Sequence, residues 1–105
     1  MYVVVRTMKV KKGHQEDVVK RFSKRTLMSK SEGYVKSFLL LDSKHKDYDM
    51  FRQEIYWKDK RAFFVWEGSP EHIAMHKAKK ESGHERPEEI LEVTRETYEF
   101  VGKYD

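Results

Sequence analysis

The chain has 105 residues, of which 38% are hydrophobic and 38% are charged, and its formal net charge is +4. A chain of this length forms a single domain with one thin core, so we treat residues 1–105 as one domain. The sequence contains no cysteine, which excludes disulfides, thiolate nucleophiles and iron–sulfur clusters. The mild positive charge favours an acidic partner.

No segment of the sequence is suited to secretion or to membrane insertion. Met1–Lys9 lacks the apolar run of about 7–15 residues that a signal peptide needs. No stretch approaches the roughly 18 apolar residues of a membrane-spanning helix. We therefore expect a cytoplasmic protein without membrane insertion.

The first half of the chain predicts three strands and one helix. Valine-rich and alternating segments are typical of strands, and apolar residues at helical spacing (Val18, Val19 and Phe22) indicate an amphipathic helix. The predicted elements are a strand over Tyr2–Val10, a helix over His14–Leu27, a loop over Ser29–Gly33, and strands over Tyr34–Leu41 and Asp49–Trp57 joined by a polar turn.

The second half predicts an interrupted helix and a final strand. Lys60–Glu67 is helical in pattern, and Gly68-Ser69-Pro70 then breaks the helix. Ser69 is a natural N-cap before Pro70, so a new helix is predicted from Pro70 to about Lys80. After a charged loop, Ile90–Val101 is predicted to be a strand.

The order βαββαβ predicts an α+β, ferredoxin-like sandwich with both helical regions on one face of an antiparallel sheet. On the other face, Val3, Val5 and alternate residues of Tyr34–Leu41 leave apolar surface that the helices cannot cover. Because such surfaces usually mark interfaces, we expect a homodimer that packs sheet against sheet.

Trp66 and His76 lie on either side of the helix break, which allows both side chains to face a common space. A neutral imidazole between small and apolar neighbours can bind haem iron as a single axial ligand. Equally, His76 can be an ordinary half-buried residue and Trp66 a core residue. His72 and His76 also have the spacing of a zinc pair, but the HExxH pattern and a third ligand are missing, so we do not expect a structural zinc site.

Three arginines are candidates for binding an anionic ligand. Arg6 alternates with Val4 and Met8, which places its guanidinium on the apolar, helix-facing side of the first strand. There it needs an acceptor, either Glu54 or a glutamate of the last strand, or else a ligand with negative groups. Arg21 and Arg25 share one stripe of the first helix and could bind carboxylates bidentately.

Several of these segments resemble the IsdG-type haem-degrading monooxygenases, in the superfamily of antibiotic-biosynthesis monooxygenase-like dimeric α+β barrels. The resemblance covers nearly the whole chain. It rests on the opening strand up to Gly13, Arg21-Phe22 through Arg25, Glu32-Gly33-Tyr34, Trp57, and above all Trp66-Glu67-Gly68-Ser69-Pro70 followed by Ala74-Met75-His76-Lys77.

The resemblance implies that His76 is the proximal iron ligand and that Trp66 presses on the porphyrin. It also implies that haem is both cofactor and substrate, opened by O2 and an external electron donor, such as a reductase, with release of iron. Arg6 stands where the family has a distal asparagine, so it joins Trp66 as a candidate catalytic residue. The segment expected to border the haem comprises Arg21, Phe22, Ser23, Lys24, Arg25, Thr26, Leu27 and Met28.

Other functions remain open from the sequence. The chain could be a cofactor-free monooxygenase or isomerase of the same superfamily, acting on a small aromatic or carbonyl compound, or a haem carrier without turnover. The order βαββαβ also occurs in RNA-recognition modules. However, Asp49–Trp57 lacks their stacking motif, so we expect no nucleic-acid partner.

Overall fold

A computed structural model describes residues 1–23, 27–81 and 87–105. Its four strands form one antiparallel sheet in the order β2-β3-β1-β4, which confirms the predicted α+β, ferredoxin-like fold. The elements are β1 (Tyr2–Lys11), α1 (Gln15–Phe22), a one-turn 3₁₀ helix (Met28–Lys30), β2 (Tyr34–Asp42), β3 (Tyr48–Trp57), α2 (Lys60–Glu67), α3 (Pro70–Glu81) and β4 (Ile90–Glu99).

The first helix is shorter than the sequence pattern indicates, so the prediction of one helix up to Leu27 was wrong. The α-helix ends at Phe22, and the Ser23 hydroxyl donates to the Lys20 carbonyl at 2.8 Å. Serine competes in this way for backbone hydrogen bonds.

The predicted break between α2 and α3 is confirmed. Ser69 caps α3, because its Oγ accepts the His72 N–H at 3.2 Å. Asp59 caps α2 in the same manner, accepting the Ala62 N–H at 2.8 Å. Each cap satisfies an otherwise unpaired amide in the first turn of its helix. Among the described helices, none has the length and apolar character needed to cross a membrane.

The core consists of two clusters on the helix-facing side of the sheet. The first cluster lies under α2 and the second lies under α1. Arg6 occupies the position on β1 between them, since Val4 belongs to the first cluster and Met8 to the second. The buried members are Tyr2, Val4, Ile55, Trp57, Phe63 and Trp66 in the first cluster, and Met8, Val10, Val18, Phe51 and Ile90 in the second.

The opposite face of the sheet is only partly as predicted. Val3 and Val5 are buried within the single chain, so the expectation that they form exposed surface was wrong. The reason is that Val3 lies between Tyr56 and Tyr98 on its neighbouring strands, and these large side chains flank it. Phe38 and Leu40 of β2 are exposed, each at 48%, as the alternation of that strand predicts.

Candidate functional site

An open cleft of about 330 Å³ lies between the segment before β2 and the junction of α2 with α3. Leu27 and Val65 present exposed apolar side chains to it, and Trp66 forms part of its wall. Such a lining suits a flat, mostly apolar ligand with polar groups at its edge. The lining residues are Leu27, Lys30, Ser31, Glu32, Val65, Trp66, Ser69 and Glu71.

Gly33 sets the distance between the two walls of this cleft. Its φ is +86°, and a Cβ atom at this position would lie 2.4 Å from the Ala62 Cβ. The Gly33 carbonyl also accepts the Lys58 N–H at 2.7 Å. Only glycine satisfies both the positive φ and the close approach to α2. The turn therefore presses directly on the first turn of α2.

Trp66 faces inward, as the sequence predicts, and is 7% exposed. It packs in the first core cluster and also lines the cleft. The centroid of its ring lies 5.1 Å from that of His72. Trp66 is therefore both a core anchor and a wall of the candidate site.

His76 lies on the exposed side of α3, a helix without a fully buried residue. Its Nε2 is 3.0 Å from the Nε2 of His72, whose Nδ1 is 2.8 Å from the Glu67 carbonyl oxygen. Trp66 and His76 were predicted to face a common space, but of the two only Trp66 lines the cleft, and His76 is connected to Trp66 through His72. Within the described ranges no three His, Asp or Glu side chains form a group that could hold a metal ion. An imidazole is suited instead to a metal whose other ligands come with a cofactor.

Arg6 is half-buried and has no hydrogen bond or ion pair with any residue that the structure describes. Of the acceptors that the sequence left open for Arg6, Glu54 is excluded, because that carboxylate lies on the opposite face and binds Arg52 and Tyr56. Two glutamates of β4 likewise have other partners, Glu92 with Lys9 and Glu96 with Tyr98. Burial, and then repulsion from Arg95, lowers the pKa of Arg6. The guanidinium is therefore available to an anionic group.

Two neighbours of Arg6 complete a polar row that sequence reasoning missed. Gln53 lies directly opposite Arg6 on β3 and is buried, and its Oε1 has no hydrogen-bond partner within the described chain. Arg95 lies opposite Arg6 on β4, and its Nη1 is 2.5 Å from the Glu67 Oε1. Alternation along β3, between Phe51 and Ile55, is the sequence signal that could have identified Gln53.

The segment expected to border the ligand is only partly at the cleft. Leu27 lines the cleft, and Met28 packs against the first core cluster beside Trp66. Arg21 is paired with Glu89 at 2.7 Å, and Phe22 packs in the second core cluster. The remaining residues give no contact with the cleft or lie outside the described residues: Ser23 is exposed, and Lys24, Arg25 and Thr26 are not described.

The chain is similar to known proteins along most of its length. It is 32% identical over 91 residues to the heme-degrading monooxygenase HmoA of Bacillus subtilis strain 168, an alignment that covers 87% of this chain and 82% of HmoA. Its fold matches the heme-degrader MhuD of Mycobacterium tuberculosis, solved with two hemes bound, at a TM-score of 0.71, 23% identity and full coverage of both chains. It also matches SnoaB, a cofactor-independent oxygenase of Streptomyces nogalater, at a TM-score of 0.58 and 16% identity, covering 97% of this chain and 95% of SnoaB.

The family model for antibiotic biosynthesis monooxygenases matches residues 1–78, which include the whole cleft and the helix break. This match spans β1, α1, β2, β3, α2 and most of α3. The chain belongs to the antibiotic biosynthesis monooxygenase family.

Proposed function

We propose that this chain is a haem-degrading monooxygenase that binds haem as substrate and cofactor. The observation that carries the proposal is the Trp66 ring, which lines the cleft and lies beside the His72–His76 pair. The similarity to HmoA over 87% of the chain supports the same activity. An external electron donor, such as a reductase, and O2 complete the reaction, and the composition favours the cytoplasm.

The side chains near the cleft match the chemical character of haem. Haem is a flat, apolar ring with two carboxylates at its edge and an iron that accepts imidazole nitrogen. Leu27, Val65 and Trp66 supply apolar contacts, and the imidazole pair supplies nitrogen. Outside the cleft lining, the half-buried Arg6 guanidinium and the buried Gln53 Oε1 have no partner in the described chain and could bind polar groups of a ligand.

In the proposed reaction, bound haem supplies the iron at which oxygen is activated and the porphyrin carbon that is oxidised. The chain's own residues orient and shield it. His76 would hold the iron from α3, and Trp66, fixed in the core, would pack against the porphyrin. Arg6 would donate hydrogen bonds to negative groups on the sheet side, where burial strengthens such contacts.

Haemin titration of the purified protein tests this function. We expect a Soret shift that saturates near one haemin per chain, and loss of that band with ascorbate or a reductase. Mass spectrometry then identifies an opened tetrapyrrole. Catalase should suppress the loss only in part, since complete suppression indicates peroxide damage. Binding without a product would identify a haem carrier, and absence of a Soret shift would exclude the haem function.

A cofactor-free oxygenase acting on a smaller aromatic substrate is the second candidate. The observation that favours it is the size of the cleft, about 330 Å³, which suits a compound of two or three fused rings. The Nε2 of His76 is also already engaged by His72. With this function, the protein would not bind haemin and would consume O2 in the presence of a small phenolic substrate. An oxygen electrode measures the O2 consumption.

We also propose a homodimer that packs through the sheet face opposite the helices. This face carries three exposed side chains, Phe38 and Leu40 of β2 and Tyr98 of β4. Strand alternation places them on the same side of the sheet as the buried Val3 and Val5. A second copy would remove this apolar surface from water.

A further inference from the structure

The hydrogen bonds of His72 determine which of its ring nitrogens carries the hydrogen. Its Nδ1 is 2.8 Å from the Glu67 carbonyl oxygen, and a carbonyl can only accept. The Nδ1 of His72 is therefore the donor. In the neutral ring, the lone pair is then on Nε2, so that His72 accepts the hydrogen bond from the Nε2–H of His76 at 3.0 Å.

This arrangement is the one found around metal-ligating histidines. Such a histidine donates its second ring N–H to a carbonyl or carboxylate, which orients the ring and directs the lone pair of the other nitrogen at the metal. His72 meets this requirement through Glu67, whereas the Nδ1 of His76 has no partner in the described part of the chain. Before His76 can ligate through Nε2, its hydrogen has to move to Nδ1; His72 needs no such change.

The surroundings of His72 also hold it in place more firmly than those of His76. His72 is half-buried against the Trp66 ring, and its backbone N–H is fixed by the Ser69 cap. Glu67 is itself anchored to β4 through Arg95. His72 is thus tied to both the core and the sheet, while His76 is exposed one helical turn further along.

On the basis of the proposed function, we propose that His72 is a second imidazole through which the chain can hold haem iron, as an alternative to His76. The two Nε2 atoms lie 3.0 Å apart on the same side of α3, so both would be within reach of the same metal ion. Coordination by His72 would break only the hydrogen bond between the two rings, whereas coordination by His76 would also require its hydrogen to be on Nδ1. The protein would then hold haem through two alternative imidazoles.

Single and double alanine variants separate this inference from a single-ligand site. We expect His76→Ala and His72→Ala each to bind haemin within about tenfold of the wild-type Kd, and each to keep the iron–imidazole band in the resonance Raman spectrum of the ferrous complex. The double variant should lose that band and bind at least about 100-fold more weakly, with added imidazole restoring the band. His45→Ala, which removes an imidazole from a distant turn, is the matched control.

Two results would overturn the inference. The first is loss of the iron–imidazole band in His76→Ala while the wild type retains it, because His76 would then be the sole ligand and the proposed function would stand. The second is an NMR long-range ¹H–¹⁵N spectrum of the ligand-free protein that shows the hydrogen of neutral His72 on Nε2. A wild type that binds no haemin would remove the proposed function together with this inference.

Discussion

Arg6 and Arg95 lie directly opposite each other on β1 and β4, on the side of the sheet that faces the helices. Glu67 offsets the charge of Arg95 at 2.5 Å, but no described residue offsets that of Arg6. Like charges in direct cross-strand contact destabilise a sheet. The fold therefore carries a charge repulsion between Arg6 and Arg95.

We expect Arg6→Gln to raise the free energy of unfolding of the ligand-free protein by about 0.2–1 kcal/mol, because it removes the repulsion from Arg95. Urea unfolding followed by fluorescence measures this change. Arg61→Gln, the same change at an exposed position of α2, should leave the free energy within about 0.5 kcal/mol of the wild type. A less stable Arg6→Gln protein would show that the guanidinium has a stabilising partner.

Alanine substitutions at Gly33 and Gly13 together test the close contact at the cleft. Both have positive φ, +86° and +91°, but only at Gly33 would a Cβ meet another atom within 4 Å, the Ala62 Cβ at 2.4 Å. We expect Gly13→Ala to cost about 1–2 kcal/mol for the backbone conformation alone. Gly33→Ala should cost a further 1–3 kcal/mol or so, because the turn must move away from α2. Equal losses in thermal or urea unfolding would contradict the close packing.

Asp49 links pH to the stability of the fold. It is fully buried, and hydrogen bonds from Lys12, at 2.8 Å, and then from Gln15, at 3.1 Å, hold its pKa below the ordinary value. Because the folded-state pKa is the lower one, the carboxylate stabilises the fold above the unfolded-state pKa of about 3.9. This contribution is lost as the pH falls through the folded-state pKa.

We therefore expect Asp49→Asn to be less stable than the wild type at pH 7, with the difference shrinking as the pH falls below about 4. Urea unfolding at a series of pH values measures both curves. Asp47→Asn, at an exposed position in the preceding turn, should follow the wild-type curve. A pH-independent difference for Asp49→Asn would mean that packing, and not charge, explains its effect.

The proposed dimer depends on apolar contacts of β2. We expect Leu40→Lys to convert the dimer to a monomer in analytical ultracentrifugation, because a buried lysine without a partner is strongly unfavourable. Ile73→Lys, an equivalent change at an exposed apolar residue of α3, should remain dimeric. A wild type that sediments as a monomer at all concentrations would refute the sheet-to-sheet packing.

Features that depend on neighbouring residues along the chain were predictable from the sequence. The break between α2 and α3, the Ser69 cap and the alternation that directs Arg6 to the helix-facing side are confirmed. Each arises from backbone geometry or hydrogen bonds within a few residues, which local sequence determines. The predicted C-terminal end of α1 was wrong, because the prediction did not include the hydrogen bond from the Ser23 hydroxyl to the backbone.

The contents of the candidate site, in contrast, were decided by tertiary structure. The order β2-β3-β1-β4 places Gln53 and Arg95 on either side of Arg6, and the packing of α3 on α2 brings His72 between Trp66 and His76. Along the chain, Arg6 is 47 residues from Gln53 and 89 residues from Arg95, so only strand pairing in the sheet brings these three residues together. The free energy that brings these residues together comes from burying the two core clusters. Each cluster contains side chains from several strands and helices, so no single segment of the sequence determines it.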